Sequence, residues 1–215
     1  GFEYLHKLFI SLYHTNIEMR VIAINDCSPD QRVDRFMESL CAKKNNITYI
    51  KNAVNLGFVK SVNKGLELAK NDVVLVNTDV EVPDQWLERL MYPIFADESV
   101  ATTTPYTNCG TICSFPELGK DNAIFDNRSL YFVDSVFKNI APNYTEMPTG
   151  VGFCMGMSLT AIKKVGLLDE NNFDKGYCEE NDWCQRAIKH GYKNVQVENL
   201  FVYHKHGGSF QSDKK

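Results

Sequence analysis

The stretch Val73-Val-Leu-Val-Asn-Thr-Asp79 consists of four apolar residues that are followed at once by polar ones. A short run that is apolar throughout is typical of a strand buried on both faces of a sheet. The same pattern predicts a strand upstream at Val21–Asn25, which also ends in polar residues because Asp26 follows Asn25. Residues 47–50 predict a further strand between these two.

The segments between the predicted strands have the apolar periodicity of helices. Apolar residues recur three or four positions apart before the third strand, at Phe58, Val62, Leu66 and Ala69. Such spacing builds one apolar face along a helix, and it also predicts helices over residues 30–42 and 83–94. Strands that alternate with helices favour a helix-covered sheet with right-handed crossovers. We therefore predict an α/β fold with a mostly parallel, Rossmann-like sheet flanked by helices, in which ligands bind at the carboxyl ends of the strands.

The composition excludes several classes of protein. The chain has 215 residues, of which 44% are hydrophobic and 23% charged, and its formal net charge is -4. These values argue against a disordered chain, a collagen or a coiled coil, and the negative charge argues against a nucleic-acid partner. No apolar run approaches the roughly 18–20 residues of a membrane span. The seven cysteines have no regular spacing, which favours reduced thiols and a cytoplasmic protein.

The second half of the chain is less regular. Residues 105–147 are rich in Thr, Asn, Pro and Asp, and long irregular segments of compact domains are often binding loops. Within them, residues 129–136 fit either a helix or an edge strand. A helix is predicted over 179–190, between strands at 151–159 and 194–203. Because no linker interrupts the chain, we predict a single domain over residues 1–215.

The segment Asn77-Thr-Asp79-Val-Glu81 is a candidate metal site. Carboxylates that follow a buried strand can hold a divalent cation, because hard oxygen ligands suit magnesium and manganese. The alternative is that Asp79 caps the turn after the strand.

Glu179-Glu180-Asn181-Asp182 places three carboxylates within four positions. A helix start on the surface tolerates this crowding, because the helix dipole favours anions there. The functional alternative is a general base, since neighbouring negative charges raise the pKa of a carboxyl group and help it to accept a proton.

Two histidines, His204 and His206, lie two positions apart at the end of the last predicted strand, so they face the same side. Either could bind a metal as a neutral imidazole, or both could be hydrogen-bonded surface residues. Gly207 and Gly208 follow, and a turn rich in glycine can close over a ligand.

Several motifs, in their order along the chain, resemble those of the family 2 glycosyltransferases, which have the GT-A nucleotide-sugar fold. The resemblance covers about residues 5–210. The matching segments are Ile24-Asn-Asp-Cys-Ser-Pro-Asp30, Asn55-Leu-Gly-Phe58 with Asn63-Lys-Gly65, Leu75-Val-Asn-Thr-Asp79 as a form of the DxD motif, Val165-Gly-Leu-Leu-Asp-Glu170, Phe173 through Arg186, and Tyr203-His204 with Gly207-Gly208-Ser209.

The resemblance implies a role for each matching residue on the donor side. A nucleotide-binding half is expected over about residues 1–104 and an acceptor-side half over about 105–215. Asp79 and His204 are expected to coordinate manganese or magnesium at the diphosphate. The nucleotide-binding residues are expected to be Asn25, Asp26, Asn55, Asn63, Asn77 and Asp79.

The resemblance also implies an inverting reaction in which Glu180 takes the proton of the acceptor hydroxyl, Glu179 supports it and Asp182 orients the site. The family usually has Asp where Glu180 stands, which leaves Glu179 and Asp182 as alternative bases. It often has Asp at position 25 instead of Asn, and Gly is common where His206 stands. The partners implied are a nucleotide-sugar and a glycan, glycolipid or protein acceptor.

Other functions remain as alternatives at this stage. A non-catalytic sugar-nucleotide-binding module of a larger polypeptide would keep the fold without the chemistry. A nicotinamide-dependent oxidoreductase is disfavoured because no G-x-G-x-x-G follows a strand. A nucleotidyltransferase would also use a nucleotide and a metal ion, but it would not account for the carboxylate cluster at residues 179–182.

The first residues have a helical pattern, with Leu5, Leu8, Phe9 and Leu12 on one face. The family's domain normally begins with a strand before this helix. We therefore expect the N-terminal strand to be missing from this chain and one backbone edge of Val21–Asn25 to be unpaired. A longer polypeptide, associated with the inner face of the membrane through its other regions, is compatible with this expectation.

Overall fold

The structure is a computed structural model, which describes residues 1–14, 18–122, 128–173 and 178–205. The helices in these ranges are α1 (Phe2–His14), α2 (Gln31–Lys43), α3 (Phe58–Glu67), α4 (Trp86–Ala96), α5 (Leu130–Lys138), α6 (Leu159–Val165) and α7 (Glu179–Lys189), with a 3₁₀ turn at Thr111–Cys113. The strands are β1 (Val21–Asn25), β2 (Ile47–Lys51), β3 (Val73–Val76), β4 (Val80–Glu81), β5 (Val100–Thr107), β6 (Tyr144–Met147), β7 (Cys154–Met157) and β8 (Lys193–His204). None of these helices is long and apolar enough to cross a membrane.

The strands form two sheets. β1 and β2 pair in parallel as one sheet, and the second sheet has the order β3-β7-β5-β8-β4, with β6 also paired to β8. In the second sheet β5 and β8 are parallel, whereas the other pairs are antiparallel. The predicted α/β class with a sheet flanked by helices is confirmed. The pairing is mixed because β4, β6 and β7 run in the opposite direction to β3, β5 and β8.

Each sheet has an edge strand with a single strand partner. Among the described residues, β1 pairs as a strand only with β2, and β3 only with β7. The unpaired edge expected beside Val21–Asn25 is therefore present in this part of the chain. The missing N-terminal strand itself stays a prediction.

Helices cover both faces of the larger sheet, and β7 shows how. Successive side chains of a strand point to opposite faces. Cys154 packs in a core cluster with residues of α1 and α4, whereas Met155 and Met157 pack with residues of α3, α6 and α7. On that second face Trp183 is fully buried, and its indole Nε1 donates to the carbonyl of Gly166 at 2.8 Å. This anchor sets the rotation of α7.

Strand β5 was not predicted, although it lies in the centre of the sheet. Its sequence is unusually polar for a core strand, with three consecutive threonines, Thr102 to Thr104, that are fully buried. Two of the three hydroxyls are hydrogen-bonded inside the protein: Thr102 Oγ1 donates to Asn194 Oδ1 at 2.8 Å, and Thr104 Oγ1 accepts from the Val151 amide at 3.2 Å. The hydroxyl of Thr103 has no hydrogen-bond partner among the described residues. Internal hydrogen bonds of this kind make a polar strand compatible with burial.

The undecided segment at 129–136 is largely helical, as α5. Ser129 caps this helix by accepting a hydrogen bond from the Phe132 amide at 3.2 Å. A buried ion pair then ties α5 to α4, since Arg89 donates to Asp134 at 2.7 Å. Asp134 also accepts from the Phe201 amide of β8 at 3.1 Å. The irregular half of the chain is thereby fixed to the sheet.

Candidate active site

Asp79 and His204 meet where the short strand β4 pairs with the end of β8. Val80 lies opposite His204 in this pairing, and the Lys205 amide donates to the carbonyl of Asp79 at 2.9 Å. The carboxylate Oδ1 of Asp79 lies 3.5 Å from His204 Nε2, and their side chains are only 4% and 10% exposed. Residues from two distant parts of the chain thus face each other in a buried setting.

The ring of His204 is fixed in one orientation. Its Nδ1 lies 2.9 Å from the carbonyl oxygen of Cys109. Because a carbonyl can only accept, Nδ1 carries a proton, and in the neutral imidazole Nε2 then carries the lone pair. The ring also stacks on Phe153, with centroids 5.0 Å apart and planes 14° apart. Nε2 is therefore directed at Asp79.

A carboxylate oxygen and an imidazole nitrogen that face each other fit a divalent cation such as manganese. A metal-binding histidine usually donates its other ring N–H to a carbonyl or carboxylate, as Nδ1 of His204 does here. In the described part of the chain, no group of three or more His, Cys, Asp or Glu side chains forms a closed metal site. The pair could supply two ligands and leave the other coordination positions to a phosphate and water.

Glu179 and Glu180 form a second cluster at the start of α7. Glu179 is only 4% exposed, and burial together with the neighbouring charge of Glu180 raises the pKa of Glu179 to about 7. Within the described residues, the buried Oε2 atoms of both side chains have no hydrogen-bond partner. Two adjacent carboxyl groups in such a place are expected to share one proton, which leaves one carboxylate able to accept another.

The segment Gly152-Phe153 brings these two clusters to one end of the sheet. A Cβ atom added at Gly152 would lie 3.5 Å from Glu180 Oε1, so the carboxylate rests close against this backbone. The next residue, Phe153, stacks on His204, and its carbonyl accepts from the amide of Asn77 at 2.8 Å. Two neighbouring residues therefore connect Glu180 with His204 and with the end of β3.

Asp182 differs from the two glutamates because its charge is compensated. Its Oδ2 accepts from Arg186 Nε at 2.7 Å, one helical turn further along α7. Arg186 in turn donates to the carbonyls of Val165 and Leu167 at 3.0 and 2.9 Å. Asp182 thus holds α7 against the loop that follows α6. Its direct part in the chemistry stays a prediction.

Asn25 and Asp26, at the end of β1, are engaged in internal hydrogen bonds. Asn25 Nδ2 donates to Asp34 at 2.8 Å and to the Tyr49 hydroxyl at 2.9 Å. Asp26 accepts from the backbone amides of Leu56 and Gly57, at 2.8 and 2.9 Å. The two side chains shape the loops around the carboxyl end of β1, and their contact with a nucleotide stays a prediction.

Two further predicted nucleotide-binding residues, Asn55 and Asn63, differ in exposure. Asn55 is exposed, and its Oδ1 accepts from the Gly57 amide at 3.0 Å. Asn63 is buried, and its amide donates to the carbonyl of Leu168 at 2.9 Å and accepts from the Leu168 amide at 3.0 Å. Asn63 therefore joins α3 to the loop before Asp169, and its place in a nucleotide pocket stays a prediction.

Sequence reasoning missed Asn52 and Lys64 in this region. Asn52 is 3% exposed, donates to Asp26 Oδ1 at 2.8 Å and accepts from Lys64 Nζ at 2.7 Å. The sequence contained a signal for Asn52, because this polar residue directly follows β2 in the same way that the polar residue Asn25 ends β1. Among the residues of the sequence motifs, His206, Gly207, Gly208 and Ser209 lie outside the described residues, as do residues 174–177 of the segment from Phe173 to Arg186.

The buried Glu179 predicts a distinctive pH dependence of stability. Its pKa rises from 4.5 to about 7 on folding, so the folded protein holds this proton more tightly than the unfolded chain. The resulting stabilisation is complete below pH 4.5 and is lost as the pH rises through about 7. Glu179→Gln should remove a pH-dependent contribution of about 1–3 kcal/mol, measured by urea unfolding at several pH values. Glu117→Gln, at an exposed carboxylate, is the control, and equal pH profiles for wild type and Glu179→Gln would contradict the prediction.

Comparison with known proteins shows the family of the chain. A family model described as "Glycosyl transferase family 2" matches residues 2–166. The chain belongs to glycosyl transferase family 2. The matched part of this family 2 chain includes Asp26 and Asp79 and ends before Glu179, Glu180 and His204. No curated protein matches its sequence.

Solved structures show that the family 2 chain has the GT-A glycosyltransferase fold. One similar structure is GalNAc-T7 with UDP, GalNAc and Mn²⁺, with a TM-score of 0.74, 15% sequence identity and 95% of this chain covered. Another is the mannosyltransferase PcManGT from Pyrobaculum calidifontis with GDP-Man and Mn²⁺, with a TM-score of 0.64, 12% identity and 95% of this chain covered. The family 2 chain spans 41% and 55% of the lengths of these two chains.

Proposed function

We propose that this chain is the catalytic domain of an inverting, metal-assisted glycosyltransferase, which moves a sugar from a nucleotide-sugar to an acceptor hydroxyl. The observation that carries the proposal is the pair of clusters joined by Gly152-Phe153. Asp79 Oδ1 and His204 Nε2 lie 3.5 Å apart on one side, and Glu180 lies against Gly152 on the other. A metal-ligand pair next to a carboxylate base suits the transfer of a group from a diphosphate.

The metal proposed for this site is Mn²⁺ or Mg²⁺, held by Asp79 and His204. When bound, such an ion stabilises the negative charge that develops on a leaving nucleoside diphosphate. Mn²⁺ is named with the two similar structures, together with UDP in one and GDP-Man in the other. A nucleoside diphosphate sugar is therefore the donor class that we propose for this chain, with its nucleotide contacting Asn25, Asp26, Asn55, Asn63 and Asn77.

Glu180 is the residue that we propose as the general base. It removes the proton of the acceptor hydroxyl while that oxygen forms a bond to the anomeric carbon. The bond between this carbon and the diphosphate oxygen breaks, its electron pair leaves with the diphosphate, and the configuration of the carbon is inverted. Glu179 keeps its proton below about pH 7 because of its raised pKa, so the pair carries a single negative charge. We place the acceptor, a glycan, glycolipid or protein, on the side of residues 105–147, and the reaction in the cytoplasm or at the inner face of the membrane.

The proposal is tested with nucleotides and metal together. We expect UDP or GDP to raise the melting temperature of the protein in the presence of Mn²⁺, and to do so less in EDTA, because ligand binding stabilises the folded state. Nucleotide-sugars that stabilise the protein should then be turned over, and proton NMR of the first sugar product should show an inverted anomeric centre. Retention of configuration would overturn the inverting mechanism. Nucleotide binding without any turnover would instead identify a sugar-nucleotide-binding module.

A further inference from the structure

Asn108 follows directly after the last residue of β5, at the base of the irregular segment. The parallel pairing between β5 and β8 ends with Thr107 opposite Val202. Two residues further along β8 comes His204, whose backbone groups would have no strand partner on this edge. Buried backbone groups without partners are costly, and Asn108 and His204 are only 7% and 8% exposed.

The side chain of Asn108 takes the place of the absent strand. Its Nδ2 donates to the carbonyl of His204 at 2.8 Å, and its Oδ1 accepts from the His204 amide at 2.9 Å. A primary amide carries a donor NH₂ group and an acceptor oxygen side by side in one plane, so it can pair both backbone groups of one residue. Alanine offers neither group, and the hydroxyl of serine cannot reproduce both bonds with this planar spacing.

The opposite edge of β8 is held by β4. The Lys205 amide donates to the carbonyl of Asp79 at 2.9 Å, and Val80 lies opposite His204. The backbone around His204 is thus fixed between β4 on one side and Asn108 on the other. The distance between Asp79 Oδ1 and His204 Nε2 depends on both edges.

The residue after Asn108 completes the arrangement, because the Cys109 carbonyl accepts from Nδ1 of the His204 ring. The loop that carries both residues is itself closed. The Asn122 amide donates to the carbonyl of Asn108 at 2.9 Å, and the Cys109 thiol donates to the carboxylate of Asp121. Asn108 therefore holds the backbone of His204, and Cys109 holds its ring. Both residues lie on the same closed loop.

We propose that Asn108 is a positioning residue for His204, which holds the imidazole in the place where it binds a divalent cation with Asp79. The inference rests on the metal site in the proposed function, and it adds a residue from the irregular segment that neither the motifs nor the comparisons assign. Residues that orient metal ligands through hydrogen bonds typically change metal affinity by roughly 10- to 100-fold. The same loss is expected for Asn108→Ala.

The test measures Mn²⁺ affinity by electron paramagnetic resonance of free Mn²⁺, in the presence of UDP or GDP, for the complete chain. Asn108→Ala should bind Mn²⁺ about 10- to 100-fold more weakly than wild type. Asn108→Ser should show a smaller loss of affinity. If the alanine variant does not fold, the serine variant provides the test. Asn139→Ala is the matched control, because the Asn139 side chain likewise donates to a backbone carbonyl, that of Ser135 in α5, and not to His204 or to the loop of Asn108. Its affinity should stay within about twofold of wild type, below the range expected for an orienting residue.

Activity at varied Mn²⁺ concentrations separates positioning from a general loss of structure. If Asn108 positions His204, excess Mn²⁺ should restore the kcat of Asn108→Ala, whereas a damaged fold would lower kcat at every concentration. Unchanged Mn²⁺ affinity in both Asn108 variants, with weaker binding in His204→Ala, would overturn this inference and leave the proposed function standing. A wild-type protein that binds no Mn²⁺ with either nucleotide would overturn both.

Discussion

Glu180→Gln is expected to lower kcat by about 10²- to 10⁴-fold, the range by which a positioned general base accelerates a reaction. Glutamine keeps the size of the side chain but cannot accept the proton of the acceptor hydroxyl. Because Glu180 lies against Gly152 and outside the Asp79–His204 pair, the affinity for Mn²⁺ and nucleotide should stay at the wild-type level. The measurement is steady-state transfer, combined with thermal stabilisation by Mn²⁺ and nucleoside diphosphate.

Glu179→Gln is a matched control for this prediction. Since burial and the neighbouring carboxylate raise the pKa of Glu179 to about 7, its neutral form is the one that glutamine resembles. We expect a loss of kcat below about tenfold, which is much smaller than the loss of a general base. A larger loss in Glu179→Gln than in Glu180→Gln would reassign the base to Glu179.

Asp182→Asn tests the remaining carboxylate of the cluster. Its main expected effect is on stability, because it weakens the 2.7 Å ion pair with Arg186 that connects α7 to the loop after α6. The side chains of both partners are about one-third exposed, so a loss of about 0.5–1 kcal/mol is expected from urea unfolding. A fall in kcat as large as that of Glu180→Gln, without unfolding, would show that Asp182 takes part in the chemistry.

Asp79→Asn is expected to weaken Mn²⁺ binding by at least about 100-fold, since it removes the charge of a direct ligand and even indirect partners change metal affinity by 10- to 100-fold. Transfer activity should fall in parallel, because the charge on the leaving diphosphate is no longer neutralised. The melting temperature without metal should change little, as the side chain keeps its shape. The additional stabilisation by Mn²⁺ and nucleotide should disappear.

Asp84→Asn is the control for Asp79→Asn. Asp84 follows β4 closely in sequence, but its side chain is 53% exposed and contacts His14 at the surface. Its replacement should leave both Mn²⁺ affinity and kcat unchanged. Full metal-dependent activity in Asp79→Asn would remove Asp79 from the metal site and would leave His204 without its proposed partner.

Most elements with a regular local pattern were predictable from the sequence. The apolar run at β3 has the predicted bounds, and α7 begins at Glu179 as expected. Strand β5 was missed, because three consecutive threonines have the composition of a loop. The hydroxyls of Thr102 and Thr104 meet their partners, Asn194 and Val151, only in the folded chain. Helix α5 was undecided because the exposed apolar residues Phe132 and Val136 obscure the helical spacing of the buried residues Leu130, Val133 and Phe137.

The candidate site shows the same division between local pattern and tertiary contact. The order of motifs was sufficient to predict Asp79, Glu180 and His204 as site residues. Their meeting depends on Gly152-Phe153, which joins the two clusters, and no motif marked that segment. The sequence also could not distinguish Asp182 from Glu179 and Glu180. Within the described residues, only the charge of Asp182 is compensated, through an ion pair with Arg186, which also donates to the carbonyls of Val165 and Leu167.

By itself, the sequence determined the alternation of strands and helices, the polar residues at the strand ends and the resemblance to family 2. These properties depend on short-range periodicity and on residue types. Only the tertiary structure decided that the His204 backbone pairs with the Asn108 side chain, and that its Nε2 faces Asp79. The physical reason is that hydrogen bonds between residues so distant in sequence form only after β4, β5 and β8 have taken their places in one sheet.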